Sequence, residues 1–265
     1  MKEFEGRVAI VTGGAMGNGL AIVKVLASKG CKIGILDYSK KLNDTVKDLC
    51  EKGYDVIGYE CDISDGKRVR ECVDLIAEHF GKIDILVNNA GVMNAVGLSD
   101  ADDANLDLHI NVNIRGPWNV TKAVVEYMKK EHYGRIITLS SVTGTFVSDG
   151  DDCAYATTKA ALAGFGRSVA SFYIKDGITS NVVCPGFIRT PMVEKYAAEC
   201  NPEDPELALK QIGESLAIGH LGDPEDVGYL VAYLASEHSG FMTGSVIVID
   251  GGCILPETNM SYMNN

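Results

Sequence analysis

The chain has no long apolar run: nothing in it approaches the roughly eighteen residues that a membrane-crossing helix needs. Positive charge is scarce as well. Lys and Arg number 24 against 36 Asp and Glu, a formal net charge of −12. Nucleic-acid binding rests on cations that neutralise phosphates, so this balance argues against it. It argues equally against an anionic membrane surface. Cysteines are present, but none pairs in a Cys-x-x-Cys, and none has metal-site spacing with the five histidines. No metal is therefore expected. The eight cysteines are expected to be free thiols in a reducing compartment, with Cys31 and Cys184 acting as small buried hydrophobes beside strand-like runs. The opening residues, Met1 to Arg7, pass straight into a strand-like run without the plan of a signal peptide. The expectation is a soluble, cytoplasmic protein. No internal repeat, low-complexity tract or linker interrupts the chain.

What remains is an ordinary globular composition, 46% hydrophobic and 23% charged over 265 residues. That is enough for one α/β domain spanning residues 1–265 with a large core and no covalent staples. Short apolar runs alternate with amphipathic stretches. Strand-like runs are Arg7–Val11, Lys32–Leu36, Asp55–Glu60, Ile83–Val87, Arg135–Leu139, Thr179–Val183 and Ser245–Ile249. Helical patterns lie at Gly17–Lys29, Leu42–Lys52, Lys67–Phe80, about Ala101–Lys130, Tyr155–Lys175 and Pro224–Ala235. The runs are apolar throughout, as expected of strands covered on both faces, and the rhythm implies a doubly wound parallel sheet of about seven strands. Residues 187–222 break the rhythm with Pro191, Pro202 and Pro205, followed by a short helical piece near Leu207–Leu216. This segment is expected to be an irregular substrate lid.

The first strand leads into Thr12-Gly13-Gly14-Ala15-Met16-Gly17-Asn18-Gly19, and a helix follows at once. Glycines in this context let the backbone approach a pyrophosphate while the helix N-terminus presents its amides. The next strand ends in Asp37, twenty residues beyond Gly17, where an acid accepts hydrogen bonds from the adenosine ribose. A carboxylate there repels the ribose phosphate of NADP, and Tyr38 follows rather than an arginine. The expected cofactor is NAD, on a Rossmann-type sheet.

Over nearly its whole length the sequence resembles the short-chain dehydrogenase/reductase family. The glycine loop has the family's Thr-Gly-x-x-x-Gly-x-Gly form, with Asn18 in place of the usual aliphatic residue. Cys61-Asp62-Ile63 matches the family's adenine-contacting stretch, and Asn88-Asn89-Ala90-Gly91 its cleft-lining motif after the fourth strand. Asn111-Val112-Asn113-Ile114-Arg115-Gly116 selects Asn113 over Asn111. In Ser140-Ser141-Val142-Thr143-Gly144, alignment from the glycine selects Ser141. Tyr155-Ala156-Thr157-Thr158-Lys159 is the Tyr-x-x-x-Lys motif. In Cys184-Pro185-Gly186-Phe187-Ile188-Arg189-Thr190, Pro185 and Gly186 form the Pro-Gly segment, while Ile188 and Thr190 are implied nicotinamide contacts. A tyrosine and a lysine four apart arise easily by chance; all these motifs in family order do not.

The resemblance implies that Asn113, Ser141, Tyr155 and Lys159 form the catalytic group. Tyr155 would be general base in oxidation and general acid in reduction. A phenol titrates near 10, so it must be shifted by a few units. Lys159, one turn away on the same helix face, supplies the positive charge that favours phenolate, as oxidised nicotinamide would. By resemblance Lys159 also binds the nicotinamide ribose, Ser141 holds the substrate oxygen, and Asn113 positions a water that links Lys159 to solvent. Cofactor contacts are implied at Gly13, Gly17, Asn18, Gly19, Asp37, Asp62, Ile63, Asn89, Ala90, Gly91, Tyr155, Lys159, Pro185, Gly186, Ile188 and Thr190. The resemblance also implies a homotetramer.

Phe187, Ile188, Met192, Val193 and Tyr196 suggest an apolar pocket, and the acidic loop Asp149-Gly150-Asp151-Asp152 disfavours anionic substrates. The tail Leu255-Pro256-Glu257-Thr258 is a further candidate to close the cleft. A hydroxysteroid or similar bulky secondary alcohol is the leading expectation, with sugars and polyols behind. Two alternatives compete. A 3-oxoacyl carrier-protein reductase, or another small-ketone or polyol reductase, shares the motifs, but His132 and Asp176 at the docking positions do not suit an acidic carrier. An NAD-holding redox sensor without turnover would carry a broken Ser-Tyr-Lys set, and here the set is intact.

Overall fold

A computed structural model describes residues 2–148 and 151–255. Asp149 and Gly150 of the acidic loop, and Pro256 to Thr258 of the tail, lie outside the described residues. Seven strands form one parallel sheet: β1 Val8–Thr12, β2 Lys32–Asp37, β3 Val56–Glu60, β4 Ile85–Asn88, β5 Gly134–Leu139, β6 Ile178–Pro185 and β7 Val246–Ile249. Their order is β3-β2-β1-β4-β5-β6-β7, and every neighbouring pair is parallel. This is the doubly wound Rossmann-type sheet expected. The sequence reverses direction between β1 and β4, so a crevice opens beyond the carboxyl ends of those strands.

Helices cover both faces. α1 Gly17–Ser28, α2 Leu42–Glu51 and α3 Gly66–Phe80 cross between the first strands. α4 Asp103–His109 and α5 Gly116–Glu131 follow β4, and the short turn α6 Val142–Thr145 follows β5. α7 is Cys153–Tyr173, α8 Pro191–Cys200, α9 Pro205–Ser215 and α10 Pro224–Ala235. One core cluster packs Ile22, Leu26, Ile33, Ile35, Val227 and Val231 on one face of the sheet. Another packs Val69, Val73, Ile76, Val120, Val124 and Met128 on the other. Burial on both faces is why the strands read as unbroken apolar runs rather than alternating ones.

Two expectations need correction. The single helical region expected at 101–130 is two helices joined by a π-helical turn, Ile110–Arg115. Wide turns of this kind cluster at functional sites. The segment 187–222, expected to be irregular with one short helix, holds both α8 and α9. Each begins with a capping side chain and a proline. Thr190 accepts from the Val193 amide ahead of Pro191, and Asp204 accepts from the Leu207 amide ahead of Pro205. Proline fits the first helical turn because its missing N–H has no partner there anyway. α8 and α9 pack together through Val193, Ala197, Ala208, Leu209 and Ile212. Arg189 ties them at the surface, 2.8 Å from Glu206 and 3.7 Å from Glu194. Among the described residues no helix is long and apolar enough to cross a membrane.

Candidate active site

A cleft of about 720 Å³ runs along the carboxyl ends of β1 to β6. All the site residues expected from sequence line it except Gly19 and Asn113.

At one end the glycine loop turns from β1 into α1. Gly17 has φ +54°, a left-handed conformation that strains any other L-residue. Gly19 matters through close approach: a Cβ there would collide with the Gly13 carbonyl and the Asn89 amide. Asn89 donates to the Thr12 and Gly13 carbonyls at 2.9 and 3.0 Å, which holds the loop against β4. Asp37, 8% exposed, accepts from the Ala15 amide through one oxygen and from the Ser39 amide through the other, both at 2.8 Å. Asp62 accepts from both the amide and the hydroxyl of Ser64. The Asn18 Oδ1 atom is buried without a hydrogen-bond partner. A glycine cradle at a helix N-terminus, an anchored carboxylate twenty residues on and an orphaned polar atom together fit a dinucleotide.

At the other end β5 delivers Ser141, the N-cap of α6, and α7 delivers Tyr155 and Lys159 from successive turns. The Lys159 ammonium donates to the Leu139 carbonyl at 2.9 Å and lies 5.6 Å from the Tyr155 ring centroid. Burial pulls the lysine down to about 8. Tyr155 moves in the direction opposite to that expected: burial, the largest cause, pushes the phenol up to about 12. A hydrogen bond with Ser141 lowers it, while Asp152 and Cys184 raise it further. Behind this group Ser140 donates to the Lys159 carbonyl at 2.7 Å, fixing α7 on β5. Pro185 ends β6, Gly186 and Ile188 follow it along the cleft, and Thr190 caps α8.

Asn113 sits in the π-helical turn, 1% exposed. Its Oδ1 accepts from the Val92 amide at 2.8 Å, and its Nδ2 donates to the Val92 carbonyl at 3.0 Å and to Thr158 Oγ1 at 3.1 Å. The side chain is spent on holding the strap 92–95 rather than facing the cleft. Sequence reading missed two companions, Asn105 and His109. Asn105, His109 and Asn113 are spaced four apart and buried at 8%, 0% and 1%. Buried polar residues at helical spacing within an otherwise ordinary helix are a signal that could have found them.

Among the described residues no three His, Cys, Asp or Glu side chains gather as a metal would require. Cys31, Cys50, Cys61, Cys72, Cys153, Cys184 and Cys200 are free thiols.

The family model for enoyl-(acyl carrier protein) reductases matches residues 13–253. The chain is 42% identical over 258 residues to oxidoreductase UcpA of Escherichia coli, covering 97% of this chain and 98% of that protein. It is 36% identical over 254 residues to the 3-oxoacyl-[acyl-carrier-protein] reductase FabG of Thermotoga maritima, covering 96% and 100%. A short-chain dehydrogenase/reductase variant from Serratia marcescens superposes with a TM-score of 0.85 at 33% identity, covering 95% of this chain and 99% of that one. With strand order, cleft and relatives in agreement, this chain belongs to the short-chain dehydrogenase/reductase family of oxidoreductases, whose members use NAD(H) or NADP(H).

Proposed function

We propose that this oxidoreductase interconverts a secondary alcohol and a ketone with NAD(H). The observation that carries the reading is the convergence of Ser141, Tyr155 and Lys159 at one end of a cleft whose other end holds the glycine loop and Asp37. Gly13, Gly17, Asn18 and Gly19 would cradle the pyrophosphate, Asp37 the adenosine ribose, and Asp62 and Ile63 the adenine. When bound, the nicotinamide supplies the hydride acceptor or donor. Tyr155 takes the alcohol proton in oxidation and returns it in reduction, while the Ser141 hydroxyl holds the same oxygen. Lys159 keeps positive charge beside the phenol and reaches toward the nicotinamide ribose. Asn113 enters as the group that fixes the backbone beside Lys159: a Cβ on Gly91 would lie 3.2 Å from Asn113 Oδ1 and 3.4 Å from Lys159 Nζ. NAD is preferred because the side chain at the ribose position, Asp37, is a carboxylate that a 2′-phosphate would meet as like charge.

The substrate half supports a bulky, largely apolar molecule, with hydroxysteroids the leading example. Met93, Leu108, Phe187, Met192, Val193 and Tyr196 line it. Asp151 and Asp152 also line the cleft and disfavour phosphorylated or carrier-linked substrates. The segment 187–222, with α8 and α9, acts as the lid. A second reading, a carrier-linked 3-oxoacyl reductase, is favoured by the likeness to FabG. One panel separates them: kcat/KM for hydroxysteroids, small polyols and a carrier-linked 3-oxoacyl substrate, each with NAD(H) and NADP(H). Highest values for a hydroxysteroid with NAD(H) are expected. Efficient turnover of a polyol with steroids inert ends the steroid assignment, and a preference for the carrier-linked substrate with NADPH ends the whole reading.

A further inference from the structure

Between β4 and α4 the chain runs without regular structure, and 92–95 of it form a wall of the cleft. Backbone polar groups in such a strap must find partners. At Val92 both are met by the Asn113 amide. At Asn94 both are met by α4. The Asn105 Nδ2 donates to the Asn94 carbonyl at 3.2 Å, and His109 Nε2 accepts from the Asn94 amide at 3.2 Å. An amide N–H can only donate, so Nε2 must be the unprotonated nitrogen. Nδ1 is then the donor, to the Asn105 carbonyl at 2.7 Å. The imidazole is fully buried and meets the Tyr155 ring edge-on, centroids 6.5 Å apart at 76°. One helical stripe therefore holds alternate peptides of the strap, and its middle member also abuts the tyrosine. Nothing in the chemistry described so far uses His109.

We propose that His109 is a positioning residue of the active site: with Asn105 it clamps the Asn94 peptide and so sets the wall formed by Val92, Met93 and Ala95 against the substrate. The inference rests on the dehydrogenase reading for its kinetic consequence, but not for its structural one. Apart from the ring contact with Tyr155, the clamp touches none of the residues that would hold the dinucleotide, so cofactor affinity is separable from it.

The test compares His109→Leu, which fills the space without an acceptor, with His109→Gln, whose carbonyl can accept from the Asn94 amide. Asn105→Leu, which removes the other half of the clamp, serves if His109→Leu does not fold. Three quantities are read: hydrogen exchange across 92–95, NADH affinity by fluorescence, and steady-state kinetics with cyclohexanol and a hydroxysteroid as probe alcohols. In His109→Leu or Asn105→Leu, exchange of the strap is expected to rise by about tenfold or more as its buried bonds are lost. KM for the alcohol rises by about tenfold with kcat within about threefold, because a loosened wall weakens ground and transition states alike. NADH affinity stays within about twofold, and His109→Gln recovers most of both losses. Wild-type exchange in His109→Leu and Asn105→Leu overturns the proposal. So does a loss confined to kcat, a parallel loss of NADH affinity, or a glutamine variant as impaired as the leucine one. If the wild type oxidises neither probe, the probe-alcohol reading fails, and strap exchange with glutamine rescue alone decides the clamp.

Discussion

The Asp37 carboxylate takes one backbone amide on each oxygen, from Ala15 and Ser39, which fixes its orientation and leaves lone-pair capacity for ribose hydroxyls. A 2′-phosphate in the same place would meet an anchored negative charge. Replacing Asp37 with Ser should therefore narrow the preference of kcat/KM for NAD(H) over NADP(H) by about tenfold or more. A wild type that prefers NADP(H) would contradict the assignment. Lys159 gives a prediction on stability. Its ordinary value is 10.5, and burial brings it to about 8. Between those values the unfolded chain binds the proton and the folded chain does not, so Lys159 makes stability rise with pH across that window. The buried Tyr155, Cys31 and Cys184 are shifted upward and act in the opposite sense at higher pH. The lysine must therefore be isolated by difference. From pH 8 to about 10.5 the wild type should gain on Lys159→Met by on the order of 3 kcal/mol in denaturant unfolding. Parallel curves for the two proteins would show that Lys159 keeps its ordinary affinity for the proton.

At the scale of elements, α5 and α7 present two kinds of apolar residue. Val120, Val124, Leu162 and Val169 are buried against the rest of the chain. Trp118 and Phe172 stay 58% and 76% exposed. Burying one such aromatic contributes about 2 kcal/mol, so a second copy of the chain is the expected cover and a homotetramer the expected assembly. Light scattering at micromolar concentration should report a tetramer, and Trp118→Glu a smaller species; a monomeric wild type would contradict this. The strands and most helices were legible because burial on both faces leaves apolar runs such as Val8–Thr12, and because the amphipathic stretches between them keep helical period. α8 was not. Pro191 and Pro205 read as breakers, although Thr190 and Asp204 before them are capping residues that turn each proline into a helix start. The same signal at Asp223-Pro224 was read correctly, because the run behind it is more apolar. The motifs pointed to Ser141, Tyr155 and Lys159, which line one cleft, but not to the upward shift of the tyrosine, since burial depends on neighbours far along the chain. The parts of Asn105 and His109 depend on the strap they face, and no local spacing specifies that partner.

For the whole molecule, the sheet order sets the two halves of the cleft in one line. Strands β1 to β3 end at the dinucleotide half, and β5 and β6 end beside Ser141 and Pro185, with α7 laid across to bring Tyr155 and Lys159 in. In the proposed reaction the proton passes through the Tyr155 hydroxyl while the cofactor is held independently of it. Tyr155→Phe tests it most directly, because the ring packs equally well without its oxygen and only the Ser141 hydrogen bond is lost. The measurement is NADH binding by fluorescence, alongside single-turnover hydride transfer to the ketone of the best panel substrate. NADH affinity is expected within about twofold of wild type and transfer slowed by about a thousandfold or more, as when a general acid is removed. Transfer at near wild-type rates in Tyr155→Phe would contradict it.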